Sequence, residues 1–243
     1  MASQTALEIV RTVAGRVGIQ RPSTATGSTD VQVQQLVALL NEEGQELAKR
    51  YVWQATVKEK TFTTVAAESQ GLLVGGTILA AADGFKYILN DTIWDRTTEY
   101  QLQHSTPTRW QADSSTLPVG PYSRYRIRNG YLLMLPAPSA GLTVAFEYVT
   151  ENWVRNAAGD EFRAEFTMDG DIPLLDSQLL IMGLKWRWLA AKGLSYAESF
   201  NSYEAAVSDA ITRDEPRGAV SMNGADTDTF SPYVVVPAGD FAQ

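Results

Sequence analysis

The chain has 243 residues, with 20 lysines and arginines against 28 aspartates and glutamates, a net charge of −8 and no cysteine. That length suffices for a domain with its own core, while the acidic balance excludes nucleic-acid binding driven by bulk counterion release. The lack of cysteine excludes disulfides and thiolate chemistry and suits assembly in a reducing cytoplasm. No apolar run reaches the roughly 18 residues that a membrane span needs. Met1-Ala2-Ser3-Gln4-Thr5 has neither a basic nor an apolar leader region, so no secretory leader and no membrane partner are expected.

Thr5 and Glu8 form a capping-box pattern, and Ala6, Ile9, Val10, Val13 and Val17 follow at helical spacing up to Gly18. A polar loop with Pro22 and Gly27 comes next. A second helix is predicted from Thr29 or Asp30, with the stripe Val33, Leu36, Leu40, Gly44, Leu47 and Tyr51. Gly44 sits on that apolar stripe at a cost of about 1 kcal/mol, which predicts another helix passing close to it.

From about Val57 the period becomes that of strands. Thr61–Val65, Phe85–Leu89, Thr92–Arg96 and Glu99–Gln103 are short strand candidates, separated by turn residues such as Asn90-Asp91 and Thr97-Thr98. Arg124, Arg126 and Arg128 alternate with Tyr125 and Ile127. Asn129-Gly130 then supplies a hairpin turn into Tyr131–Leu135, which Pro136-Ala137-Pro138 ends. Leu142, Val144, Phe146 and Tyr148 predict a strand with one buried face.

After the polar stretch 155–165, a third helix is predicted with Asp171 as its cap and Pro173 in its first positions. One stripe is Leu175, Leu179, Met182, Trp186 and Leu189; a second apolar face is Leu174, Ile181 and Trp188, which makes it a candidate subunit interface. Gly193 ends or kinks that helix. Tyr196, Phe200, Tyr203, Val207 and Ile211 mark a fourth, stopped before Pro216. The remainder has no helical period. Phe230, Tyr233, Val234, Val235, Val236 and Phe241, with Pro232 and Pro237 bracketing the valines, read as an extended arm that pairs with a partner.

The fold class expected from this order is α+β. A helical bundle is built from N-terminal (1–54) and C-terminal (156–216) helices, a mostly antiparallel β domain (55–155) is inserted between them, and an extended C-terminal arm (217–243) follows.

Little here points to catalysis. His104 is the one histidine and sits in the polar run 103–107, expected to be a loop; there is no GxSxG elbow, no Walker loop and no GxGxxG. Asp169-Gly170-Asp171 is the most metal-like spot, but no EF-hand ligands follow it, and acids at a helix N-terminus account for it. Asp160, Glu161 and Glu165 offer carboxylates for glycoside hydrolysis, as any acidic chain does. No catalytic residue, cofactor or metal is therefore expected. The Arg124, Arg126 and Arg128 stripe is either a solvated strand face or a contact for an acidic partner or passing DNA; the six tryptophans read as core or interface anchors, with a sugar platform at Trp94 or Trp110 the alternative that no other residue supports.

Two ordered stretches carry a resemblance. The first is Phe85-Lys86-Tyr87-Ile88-Leu89-Asn90-Asp91-Thr92-Ile93-Trp94-Asp95-Arg96, with Thr-Arg-Trp ending at Trp110. The second runs from Tyr125-Arg126-Ile127 through Leu135-Pro136-Ala137-Pro138 and Phe146-Glu147-Tyr148 to Trp153. Asp169-Gly170-Asp171, Gly183-Leu184-Lys185-Trp186-Arg187-Trp188 and Lys192-Gly193-Leu194-Ser195-Tyr196-Ala197 then follow. In this order and spacing, over about residues 30–213, the chain resembles the head-to-tail adaptors of short-tailed bacteriophages, the tail tubular protein A family. The resemblance implies a non-enzymatic virion protein, made in the host cytoplasm and placed at the head–tail junction. There a dodecameric ring of identical copies would join the portal protein to the tail nozzle, with genomic DNA passing through the lumen. A glycan-binding β module of a phage tail and, less favoured, a carboxylate-dependent hydrolase are the alternatives.

Overall fold

The Thr5 side chain accepts a hydrogen bond from Glu8 N–H (3.3 Å) and the Glu8 carboxylate accepts one from Thr5 N–H (2.9 Å), so the expected capping box opens the first helix. The computed structural model describes residues 4–116 and 123–214. Among them the helices are α1 (Ala6–Arg16), α2 (Val31–Arg50), α3 (Pro107–Thr116), α4 (Ser177–Ala191) and α5 (Ala197–Asp214). The strands are β1 (Val57–Thr63), β2 (Ser69–Leu72), β3 (Phe85–Ile88), β4 (Trp94–Asp95), β5 (Tyr100–Gln101), β6 (Gln103–His104), β7 (Arg124–Arg128), β8 (Tyr131–Leu135) and β9 (Thr143–Thr150). Three short ones, β10 (Val154–Arg155), β11 (Phe162–Arg163) and β12 (Ile172–Pro173), complete them. The chain is α+β.

Two apolar cores organise these elements. The first joins Ile9, Val10 and Val13 of α1, Leu36, Leu40 and Leu47 of α2, the interior of α4, and Tyr203 and Val207 of α5. The second lies between two sheets. One has the order β1-β9-β4-β5 with β3 also paired to β9, and turns Val144, Phe146 and Tyr148 inward. The other has the order β2-β8-β7-β6 and contributes Tyr125, Leu132 and Met134. The pairings are antiparallel except β6 with β7. The hairpin between β7 and β8 turns where expected, with φ of +51° at Asn129 and +79° at Gly130, the left-handed pair that a type I′ turn requires.

Several expectations need correcting. Gly44 does face a close neighbour, but it is the Trp153 indole and no helix: a Cβ built on Gly44 overlaps ring atoms of Trp153. The close helix–helix approach is at Gly183 of α4, where a Cβ would overlap the Glu43 carboxylate of α2. Asp171 is not the cap of α4. Asp176 is, accepting from Gln178 N–H at 2.9 Å, while Asp171 accepts from the N–H groups of Thr167 and Met168 (2.8 Å each) and closes a turn. Strand β9 is not one-faced, because Ala145 and Val149 are buried as well as Val144, Phe146 and Tyr148; it is central, with β1 on one side and β3 and β4 on the other.

Residues 103–107 are not a loop throughout. Gln103–His104 forms β6, and the His104 ring meets the Tyr125 ring edge-on at 5.4 Å. The helix α3 that follows was not predicted, since its one buried apolar residue is Trp110. The local signal is Thr106-Pro107: the Thr106 hydroxyl accepts from Arg109 N–H (3.3 Å) and proline suits the first helical turn. No helix among the described residues is long and apolar enough to cross a membrane.

Candidate assembly surfaces

The face of α4 expected to meet another subunit is already occupied. Ile181 and Trp188 are 0% and 4% exposed, because α1, α2 and α5 all pack on α4, and Leu174 precedes the helix. Trp186 is half-buried against Phe200 (5.1 Å between centroids), Tyr196 and Tyr203. The most buried charged group on α4 is Arg187, which the apolar stripes conceal. Its Nε donates to Glu43 (2.5 Å), one terminal nitrogen to Glu42 (2.6 Å), and the other to Glu46, all on α2. The Tyr203 hydroxyl from α5 donates to Glu43 as well. Burial, and then the adjacent Glu43 charge, push the Tyr203 phenol well above its ordinary range. This network ties three helices together, and all its members are committed to one another.

The metal-like acids are also committed. Asp169 accepts from Ala25 N–H (2.9 Å), Thr26 N–H (2.8 Å) and the Thr26 hydroxyl (3.0 Å). Burial pushes this carboxyl up, but the three hydrogen bonds outweigh that and hold it below the usual carboxylate range. No group of three or more His, Cys, Asp or Glu residues is placed to hold a metal among the described residues. Asp160 and Glu161 lie on an exposed turn organised by Asn156, with Glu161 paired to Arg163 at 2.5 Å, and Glu165 is exposed. Phe230, Tyr233, Val234, Val235, Val236 and Phe241 lie outside the described residues.

What remains open are parts of the outward faces of the two sheets, since Ala145, Val149 and Leu133 on those faces are buried. Strand register sets both, since directly paired residues share a face. On the first sheet Glu59 of β1 stands opposite Glu147 of β9, two like charges across an antiparallel pair. Arg96 reaches Glu59 at 2.7 Å. Asp91, Asp95, Glu99 and Trp94 complete an open groove of about 610 Å³ on this side. Asp95 is buried and accepts from the N–H groups of Thr97 (2.8 Å) and Thr98 (3.1 Å). Asp91 and Glu99 hold φ of +63° and +61°, uncommon for residues with a side chain.

On the second sheet the outward residues of β7 are the expected arginines, paired in register with β8: Arg124 with Leu135, Arg126 with Leu133 and Arg128 with Tyr131. Arg124 bonds to Asp113 of α3 (3.3 Å), which also holds Arg109 (3.1 Å). Arg126 and Arg128 make no ion pair among the described residues. Trp110 is buried under α3 and offers no platform; Trp94 is half-buried in the acidic groove. No family model matches the chain, and no curated protein matches it.

Proposed function

We propose that the chain is a structural virion protein, one subunit of the ring that joins a phage portal to its tail, with DNA passing through the lumen. The observation that supports this reading is where the family-like residues fall. Trp153 packs on Gly44, Trp188 and Leu184 fill the helical core, and Phe146, Tyr148 and Tyr125 fill the sheet core. Much of the likeness thus falls on packing residues, with Lys192–Ala197 an exposed exception, and it supplies no reactive constellation, as befits a scaffold. In this reading residues 1–54 and 156–216 form the helical bundle, the β domain is its insertion, and the segment from Phe230 to Phe241 is the arm that docks on the portal. An acidic subunit suits a channel through which DNA slides without sticking.

Negative-stain imaging of the purified protein, alone and mixed with portal rings, tests this. Closed rings of identical copies, or portals carrying an added collar, are expected; portals left bare by a chain that forms no rings would overturn the reading. Truncation after Thr229 should leave the fold intact and abolish attachment to the portal. The Trp94 groove keeps one second reading in view, a glycan-binding module, which a glycan array decides.

A further inference from the structure

We infer that copies of this chain join through their β sandwiches, the acidic outer face of one sheet receiving the arginine face of the next copy's other sheet. The inference rests on the ring reading and supplies its contact surface. Both sheets bury their inward residues in one shared core, so their outward faces point in opposite directions. One outward face carries Glu59, Asp91, Glu99 and Glu147 against Arg96, with Asp95 buried beneath the groove on the inward side. The other carries Arg109, Arg124, Arg126 and Arg128 against Asp113. A molecule of net charge −8 thus concentrates cations on one outer sheet face and acids on the other.

Each face is electrostatically incomplete by itself. Glu59 and Glu147 oppose each other across the strands, and Arg96 relieves only Glu59; Glu147 has no ion pair among the described residues. Arg126 and Arg128 likewise lack a carboxylate. The exposed Tyr131 and Leu72, which face outward beside Arg128, add apolar area at the hairpin end of that strip. Two unlike patches on opposite sides of one subunit make a heterologous, head-to-tail contact, the kind that closes into a ring when the rotation per copy fits. Charges at such a contact govern orientation and encounter more than raw affinity, so the association should weaken as salt rises.

The test is sedimentation velocity of the full chain at low and physiological ionic strength, with two pairs of charge reversals on exposed Glu59, Glu147 and Arg128 and half-buried Arg126. Glu59→Lys with Glu147→Lys leaves three cations against Asp91 and Glu99, so both faces are basic; Arg126→Glu with Arg128→Glu leaves three acids against Arg109 and Arg124, so both are acidic. Each variant alone should lose self-association while keeping the native melting temperature, and an equimolar mixture should recover it through alternating copies. If the native chain assembles and the reversals assemble equally well, or the mixture fails to recover association, this interface is wrong while the ring reading stands. A native chain that stays monomeric under all conditions overturns both.

Discussion

Gly44→Ala is a small change with a calculable outcome. In an exposed helix alanine stabilises by about 1 kcal/mol over glycine. At position 44 the new methyl would overlap three benzo-ring atoms of Trp153, the farthest of them only 2.5 Å away. Trp153 has little room to retreat, being 1% exposed and packed edge-on against Phe166 with centroids 5.0 Å apart. Forcing extra volume into a filled core costs roughly 1–3 kcal/mol, and this overlap places the cost at the upper end. The net effect is a loss of about 1–2 kcal/mol, or some 2–8 °C in melting temperature for a chain of this size. The overlapping atoms belong to the ring that Trp153→Phe removes. In that background Gly44→Ala should turn neutral or stabilising, by up to about 1 kcal/mol. Thermal unfolding of the two single variants and the double variant reads the coupling. An equal cost of Gly44→Ala in both backgrounds, or a gain in the native one, would refute the steric argument.

Arg187→Met leaves Glu43, 1% exposed, with only the Tyr203 hydroxyl, and should cost roughly 3–5 kcal/mol in urea unfolding. Asp176→Ala removes the true cap of α4 and should cost about 1 kcal/mol by the same measurement. The depressed Asp169 carboxyl contributes stability that is present above its unfolded value of about 3.9 and is lost as pH falls through the lower folded value. Asp169→Asn should therefore flatten the acid limb of a stability–pH curve and leave its alkaline side unchanged in slope. Gel shift at physiological salt should show weak or no binding of duplex DNA; tight binding with a steep salt dependence would contradict the passive-channel reading.

Much of the local structure could be read directly from residue types. The Thr5–Glu8 box, the Asp30 cap and the Asn129-Gly130 turn depend on neighbours in sequence, and all three appear where local chemistry places them. Contacts made across the chain were harder. Gly44 signalled a close neighbour, but only tertiary structure brings Trp153 to it. Arg187 was hidden because the apolar stripes of α4 drew attention away from one guanidinium. Its signal was present in Glu42, Glu43 and Glu46, three acids on α2 flanking a core glycine. The arginine stripe was visible from its period of two, yet the acidic face opposite it was not. Glu59 and Glu147 become neighbours only through the β1–β9 register, which no local pattern specifies.

The turn at 168–171 bears on the order in which the chain can form. The first backbone amides of α1 are held from there, Ala6 N–H by the Asp171 carbonyl (2.8 Å) and Leu7 N–H by the Asp169 carbonyl (3.2 Å), and Asp169 also fastens the loop at Ala25 and Thr26. Helix α1 thus waits for a segment that follows all the strands of both sheets in the chain, and so does its connection to α2. The two sheets, by contrast, draw all their strands from one continuous stretch between β1 and β9. During synthesis the sandwich has its complete set of strands while the N-terminal helices still lack their partners. The apolar stripes of α1 and α2 then have only each other to pack on until α4 and α5 follow.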